Sequence, residues 1–195
     1  MKIRNNLFLI LFHSKNEDKW ESWKRFAQKN NYSFSILSDP IERPIIRGVI
    51  KDKPICIEAV YLNNTDSDLY IRIQSPIHNP HELYFSIQDK KAYDAKNGIF
   101  MKSIHGICEN LEFEERFLLK SNSEIFLMKL LNRNNLVNDL NSENNFSIEI
   151  ANYELTLNVY RTNEIDKNFI QFLKLFYSFL LSFEETTIES YSYRK

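Results

Sequence analysis

Two short histidine-containing segments hold the residues of this chain best suited to chemistry. His78 and His81 form an H-x-x-H pair, and His105 and Cys108 form an H-x-x-C pair. Two such pairs supply four ligands of the kinds that hold zinc in tetrahedral geometry. The spacing predicts a zinc site that clips two loops together or, with a neighbouring glutamate, serves a metal-dependent hydrolase. The alternative is that these residues are polar loop groups and a buried thiol, in a protein without a cofactor.

Cysteine catalysis is a second candidate chemistry. An imidazole from His105 or His81 would lower the pKa of the Cys108 thiol and so produce the reactive thiolate. However, Cys108 lies in an apolar stretch, and Cys56 has an isoleucine on either side. The sequence therefore favours two buried, unreactive thiols.

Paired carboxylates are a third candidate. Glu114 and Glu115 are adjacent, and Asp66 and Asp68 stand two residues apart. Each pair could divide acid and base roles if burial separated the two pKa values. The aspartates fit a turn before a strand. Arg116 follows the glutamates, and we expect it to form a structural ion pair with a carboxylate on an adjoining element.

The composition excludes several large classes of function. The glycines Gly48, Gly98 and Gly106 are isolated, whereas Rossmann turns, P-loops, kinase loops and G-x-S-x-G elbows need glycine at fixed spacing. The 25 basic and 26 acidic residues are interspersed, which leaves no basic patch for nucleic acid or an anionic membrane. The two cysteines fit a reducing compartment better than a disulfide framework, so we predict a cytoplasmic protein.

Two apolar segments require a choice between membrane and core. Leu7 to Phe12 is too short for a signal peptide and lacks a small-residue cleavage site, so it predicts a buried strand. Phe169 to Phe183 contains Gln171 and Lys174 and is shorter than the roughly 20 residues that span a bilayer. We therefore predict a core helix there and no membrane partner.

Hydrophobic periodicity places the elements that position these residues. A capping box at Ser14 to Glu17 opens a helix to about Lys29, and a second box at Ser121 to Glu124 opens a central helix that continues irregularly through Leu140. The last helix covers Ile165 to about Phe183. Segments predicted to be extended cover residues 32–36, 45–50, 55–62, 69–73, 83–87, 113–119, 146–150 and 153–159.

The aromatic face of the first helix has two interpretations. Trp20, Trp23 and Phe26 follow one another at helical spacing. Packed on the sheet with the aromatic stripe of the last helix, they would be ordinary core. Part of this surface could instead bind a partner protein, because aromatic residues are enriched at the cores of interfaces.

Several short motifs resemble a loosely defined family of bacterial α+β proteins. The matching residues are Trp23–Ala27, Arg47-Gly48, Phe113–Phe117 and Arg133–Leu136, within Trp20 to Phe183. Glu114 stands at the position of the family's aspartate. The resemblance implies an N-terminal helix, an antiparallel sheet, a further helix, a hairpin and a final helix. The family has no assigned chemistry, so the resemblance implies no activity.

These observations predict an α+β fold, an antiparallel sheet of hairpins and meanders with three helices packed on one face. We expect a single domain over residues 1–184, with two sub-lobes at about 1–112 and 113–184 as the alternative, and a polar tail over 185–195. The function that the residues favour is a non-enzymatic protein-binding module of the adaptor, chaperone-like or immunity type. The competing hypothesis is a metal-dependent hydrolase with the His78, His81, His105 and Cys108 zinc site.

Overall fold

The computed structural model describes residues 20–38, 41–61, 69–93, 104, 106, 110–133, 135–160, 165 and 169–192. The strands in these residues are β1 (Ser33–Leu37), β2 (Arg43–Ile50), β3 (Lys53–Tyr61), β4 (Leu69–Pro76), β5 (Phe85–Asp89), β6 (Phe117–Ser121), β7 (Phe146–Ala151) and β8 (Glu154–Tyr160). They form one antiparallel eight-stranded sheet in the order β1-β2-β3-β4-β8-β7-β5-β6. The predicted α+β class and antiparallel sheet are confirmed.

The described residues contain six helices, whereas the sequence predicted three. They are α1 (Glu21–Lys29), α2 (Lys90–Tyr93), α3 (Leu111–Arg116), α4 (Glu124–Leu131), α5 (Leu136–Ser142) and α6 (Phe169–Ser192). The predicted central helix is divided into α4 and α5, because Asn135 adopts a left-handed backbone conformation with φ of 58°. Among the described helices, none has both the length and the hydrophobicity needed to cross a membrane.

Two other helix boundaries differ from the sequence prediction. The segment predicted as extended over 113–119 begins as α3, because the Asn110 side chain caps the helix by accepting a hydrogen bond from the Phe113 amide at 3.0 Å. α6 continues to Ser192 instead of ending near Phe183, with Thr186 and Thr187 buried in its last turns. The predicted strand over residues 7–12 and the predicted helix residues before position 20 lie outside the described residues.

Tight hairpins hold neighbouring strands in register. Between β2 and β3, Lys51 and Asp52 have positive φ values of 44° and 71°. This is the sign that the favoured two-residue hairpin turn requires at both central positions. Between β7 and β8, Asn152 has a φ of 57°. The sequence predicted both hairpins, with turns at Lys51 to Pro54 and at Ala151-Asn152. The strand pairing confirms the hairpins and places the turns at Lys51-Asp52 and Asn152-Tyr153.

One face of the sheet carries the hydrophobic core, and we call it the helix face. Ile57, Ile73 and Leu157 lie there in register on three neighbouring strands and are fully buried. α6 lies over this face, since the ring of Phe179 is 5.3 Å from that of Phe85 on β5. The residues that alternate with these point to the opposite side, which we call the polar face.

Candidate binding surface at one end of the sheet

β1 forms an edge of the sheet and carries neither a charge nor a proline in its sequence, Ser-Phe-Ser-Ile-Leu. Ile36 and Leu37 expose 42% and 38% of their surface. Natural edge strands are usually protected by charges, prolines, bulges or a covering segment. In the part of the chain that the structure describes, β1 has one ladder partner, β2. Among the described residues, the outer side of β1 is therefore open to a further strand.

The pairing of β1 indicates which backbone groups face outward. The Ser33 hydroxyl donates to the Arg47 carbonyl at 3.1 Å, so this carbonyl faces β1. In an antiparallel ladder, opposed residues alternate between pairs whose backbone groups meet and pairs whose groups point away. We therefore assign the inward groups to Ser33, Ser35 and Leu37, and the outward ones to Phe34 and Ile36.

Two arginines of β2 lie on the polar face beside this edge. Arg47 is opposite Ser33, and Arg43 is opposite Leu37. Within the described ranges neither arginine forms an ion pair, and the buried Arg43 Nε has no hydrogen-bond partner. An acceptor bound beside β1 could satisfy the Arg43 Nε, which has no hydrogen-bond partner in the described part of the chain.

The start of β1 is held by close packing against α1 and β2. The ring of Tyr32 lies over Gly48, where an added Cβ would stand 2.2 Å from a ring carbon. Only glycine permits this approach. The Tyr32 amide donates to the Ala27 carbonyl at 2.9 Å, which ties the strand to α1. α1 is anchored in turn by Trp23, which is fully buried.

The opposite edge of the sheet, β6, has backbone contacts beyond its ladder. The amide of Ile104 donates to the Leu119 carbonyl on β6 at 2.9 Å. At the end of β6, the Ser121 hydroxyl donates to the Tyr84 carbonyl at 3.1 Å, and the Asn122 amide donates to the same carbonyl at 3.0 Å. A segment outside the ladder therefore already occupies part of this edge.

The ion pair between Asp89 and Arg116, the residue that directly precedes β6, confirms the structural role predicted for Arg116. Asp89, at the end of β5, is fully buried and lies 3.3 Å from the Arg116 guanidinium. Its carboxylate also accepts hydrogen bonds from the Lys91 amide at 2.9 Å and the Asn145 amide at 3.0 Å. Arg116 donates in addition to the Asn141 carbonyl at 2.5 Å. Both charges are thus compensated by several partners, which is what burial of an ion pair requires.

A hydrogen-bonded network crosses the centre of the polar face. Each of the three guanidinium nitrogens of Arg72 has a side-chain partner, the carboxylate of Glu58 at 3.3 Å, the hydroxyl of Tyr70 at 2.5 Å and the amide oxygen of Asn158 at 3.4 Å. These residues lie on three adjacent strands. The network therefore cross-links the strands through groups that are already engaged with one another.

Cys56 is a free thiol on the polar face of β3. Burial raises the pKa of this thiol, and the nearby Glu58 raises it further, while Arg47 lowers it. A raised pKa keeps the sulfur mainly protonated at neutral pH, in contrast to a catalytic cysteine. The raised pKa is that of an unreactive thiol, but the predicted burial is wrong, because Cys56 is half-buried on the polar face while its neighbours Ile55 and Ile57 face the core.

The residues predicted to bind zinc are only partly described. His78 and His81 are exposed in the loop between β4 and β5, and His105 and Cys108 lie outside the described residues. The buried Asn79 shapes this loop, since its side chain donates to the Leu83 carbonyl at 2.9 Å. In the described part of the chain there is no cluster of three or more potential metal ligands.

The aromatic residues predicted as a partner surface divide between core and groove. Trp20 and Trp23 are buried and contact each other edge to face at 6.0 Å between ring centroids. Phe26 is half-buried and lines a groove beside α6. The strand β1 was predicted, but its role as a binding edge beside two arginines was not. The uncharged sequence of β1 was a visible signal, but its position at the sheet edge required the strand order.

Comparison with known proteins supports the fold. No protein-family model matches the chain, and no curated protein matches it. A solved structure with a similar fold is the crystal structure of the mycobacterial trehalose monomycolate transport factor A, TtfA, at a TM-score of 0.58 and 9% identity. The match covers 84% of this chain and 93% of that one. At this identity the likeness shows the fold alone.

Proposed function

We propose that this chain is a non-enzymatic protein-binding module that adds an extended, acidic segment of another protein to β1. The edge of β1, which has no outer ladder partner in the described part of the chain, carries the proposal, because its outward backbone groups can pair with an incoming strand. Binding by strand addition needs no catalytic group. An adaptor, chaperone-like or immunity-type protein would work in this way.

The neighbouring side chains favour a particular pattern in the bound segment. On the polar face, Arg43 and Arg47 would attract acidic side chains of the new strand. On the helix face, Phe34 and the exposed Ile36 offer apolar contacts. A segment in which acidic and apolar residues alternate would satisfy both faces, because successive side chains of a strand point to opposite sides.

The proposal includes the cytoplasm as the site of action. Cys56 is a free thiol, and a reducing compartment keeps such thiols unpaired. The interspersed charges of the chain, 25 basic against 26 acidic residues, favour a protein partner over nucleic acid.

A direct test uses two labelled peptides of equal length, one alternating glutamate with valine and one alternating lysine with valine. Fluorescence anisotropy should show that the acidic peptide binds at least about tenfold more tightly. Ile36→Pro removes an outward N–H and should abolish binding, while the matched variant Ile36→Thr keeps the N–H and should retain it. The double variant Arg43→Glu, Arg47→Glu should reverse the peptide preference.

Two outcomes would contradict the proposal. Equal binding of both peptides would show that the arginines do not select the segment. Unchanged binding by Ile36→Pro would place the binding site elsewhere. Sedimentation of the protein without peptide tests whether a second copy of the chain binds to β1. A dimer that dissociates when Ile36 is replaced by proline would assign the edge to that second copy.

A further inference from the structure

A groove lies between α1 and the start of α6, apart from the outward edge of β1. Its volume is about 660 Å³, within the range of about 300 to 1,000 Å³ that is typical of small-molecule sites. Helix α1 contributes Phe26 to its wall, the sheet contributes Ile50 at the end of β2, and α6 contributes Leu173. Three separate elements thus line this open groove.

The interior of the groove is apolar and held in place by ring packing. Phe26 contacts Tyr32 at 6.1 Å and Phe169 at 5.8 Å between ring centroids, in both cases edge to face. Tyr32 is itself fixed against Gly48. Ile170 lines the groove and exposes 41% of its surface. An alkyl chain entering here would find a wall that is already ordered, which lowers the entropic cost of binding.

The described charges that line the groove have one sign. Arg25 and Lys29 are the charged residues among its described lining, and both lie one helical turn apart on α1. Arg25 is 3.6 Å from Glu21, but both side chains are largely exposed, at 70% and 44%. Such a surface pair contributes little and leaves the guanidinium available to an incoming anion.

We propose that this groove binds a free long-chain carboxylate, with the alkyl chain against Phe26 and Leu173 and the carboxylate beside Arg25 and Lys29. The apolar interior requires a tail, and the two cations select the sign of the head group. A neutral or cationic amphiphile would bury the same tail without this ion pairing. The site goes beyond the proposed strand addition, and each can fail without the other.

Calorimetric titration of the full chain with dodecanoate, below its micelle concentration, tests the site. The matched control ligand is dodecyltrimethylammonium, which has the same tail and the opposite charge. We expect saturable binding of dodecanoate at one site and at least about tenfold weaker binding of the cation. Equal affinity for the two ligands, or no saturable binding of dodecanoate, would overturn the proposal.

Two variants locate the ligand within the fold. Ile170→Trp should fill the groove and weaken dodecanoate binding at least about tenfold. Ile188→Trp makes the same change at a position on α6 that is 65% exposed and outside the groove lining, and it should leave binding unchanged. The double variant Arg25→Gln, Lys29→Gln should bind both amphiphiles alike. Normal dodecanoate binding by Ile170→Trp, confirmed as folded by circular dichroism, would place the site elsewhere.

Discussion

The two edges of the sheet differ in how their hydrogen-bonding groups and charges are satisfied. At the β6 edge, the Ile104 amide bonds to the strand, and the buried Asp89 and Arg116 are compensated by each other and by backbone groups. At the β1 edge, the described residues provide an inner partner only, and the neighbouring arginines of β2 are left without ion pairs. The two edges belong to one continuous sheet, so the difference is local.

Arginine has different roles at the two edges, structural at β6 and available to a ligand at β1. Arg116 exposes 21% of its side chain and holds a fully buried carboxylate, so its contacts contribute to stability. Arg47 is exposed on the polar face and has no described acidic partner. Removing Arg47 would therefore cost little stability, although it would remove charge that a ligand can use.

The largest loss of stability is expected for substitution of Trp23 on α1, the helix to which the start of β1 is tied. Trp23→Ala should lower the free energy of unfolding by about 3 to 5 kcal/mol, because the side chain is fully buried beneath α1 and its removal leaves a cavity. Urea denaturation measures the change. The neighbouring exposed variant Lys24→Ala is the control. A loss below about 1 kcal/mol for Trp23→Ala would mean that the edge does not depend on the packing of α1.

A loss of about 3 kcal/mol is expected for Asp89→Ala at the β6 end. The variant leaves the Arg116 guanidinium without its carboxylate and removes the acceptor for two backbone amides. Because Arg116 is partly exposed, we expect the loss in the free energy of unfolding to lie at the low end of the range found when one partner of a buried ion pair is removed. Glu115→Ala on the adjacent helix is the exposed control, measured in the same denaturation series. Equal stabilities of the two variants would show that the pair is not structural.

An intermediate effect, about 2 kcal/mol, is expected for Gly48→Ala. The added methyl group would meet the Tyr32 ring at 2.2 Å, and neither strand nor ring can move freely. A double-mutant cycle checks the cause, since Gly48→Ala should be nearly neutral in a Tyr32→Ala background. If the losses of stability from Gly48→Ala and Tyr32→Ala were additive, the close approach of the Tyr32 ring would not be the reason for a glycine at position 48.

The sequence predicted the fold wherever local signals were sufficient. Alternation identified β1. The turns of both predicted hairpins contain residues with positive φ, namely Lys51, Asp52 and Asn152. The prediction of an extended segment was wrong over residues 113–116, where capping by Asn110 starts a helix, and correct over residues 117–119, which lie in β6. The end of α6 was also placed too early, because Thr186 and Thr187 appear polar but donate to carbonyls within the helix.

The candidate sites could not be predicted in the same way. β1 is an edge only because β2 to β8 pair in an order that places it last, and strand order depends on contacts distant in sequence. The groove likewise joins Phe26 on α1 to Leu173 on α6, almost the whole length of the described chain apart. The Arg116 ion pair was predicted, but its partner Asp89 was not, because no local pattern marks a carboxylate on a neighbouring strand.

A small effect is expected for Arg47→Ala, within about 0.5 kcal/mol of the native stability, because the residue is exposed. The contrast with Asp89→Ala is the sharpest form of the comparison between the two edges. Both variants are measured by urea denaturation at the same ionic strength. A loss above about 1 kcal/mol would show that Arg47 is part of the structural framework and not a free charge for a ligand.

The smallest effect is expected in the alkylation rate of the Cys56 thiol, which reports the charge of Arg47. Burial and Glu58 raise the pKa of the thiol, and Arg47 lowers it, so removing the cation should raise the pKa further and reduce the thiolate fraction near pH 8. In a Cys108→Ser background, Arg47→Ala should slow alkylation by iodoacetamide about twofold, whereas Arg47→Lys should leave the rate unchanged.

The acidic peptide connects this reporter to the proposed function. A bound glutamate beside Arg47 would neutralise the same charge, so saturating peptide should slow alkylation of Cys56 in the Cys108→Ser protein as Arg47→Ala does in that background. In the Arg47→Ala variant the peptide should have little further effect, which separates loss of charge from simple blocking of access. Equal slowing in both proteins would mean that the peptide covers the thiol, and the charge of Arg47 would then have no role at this edge.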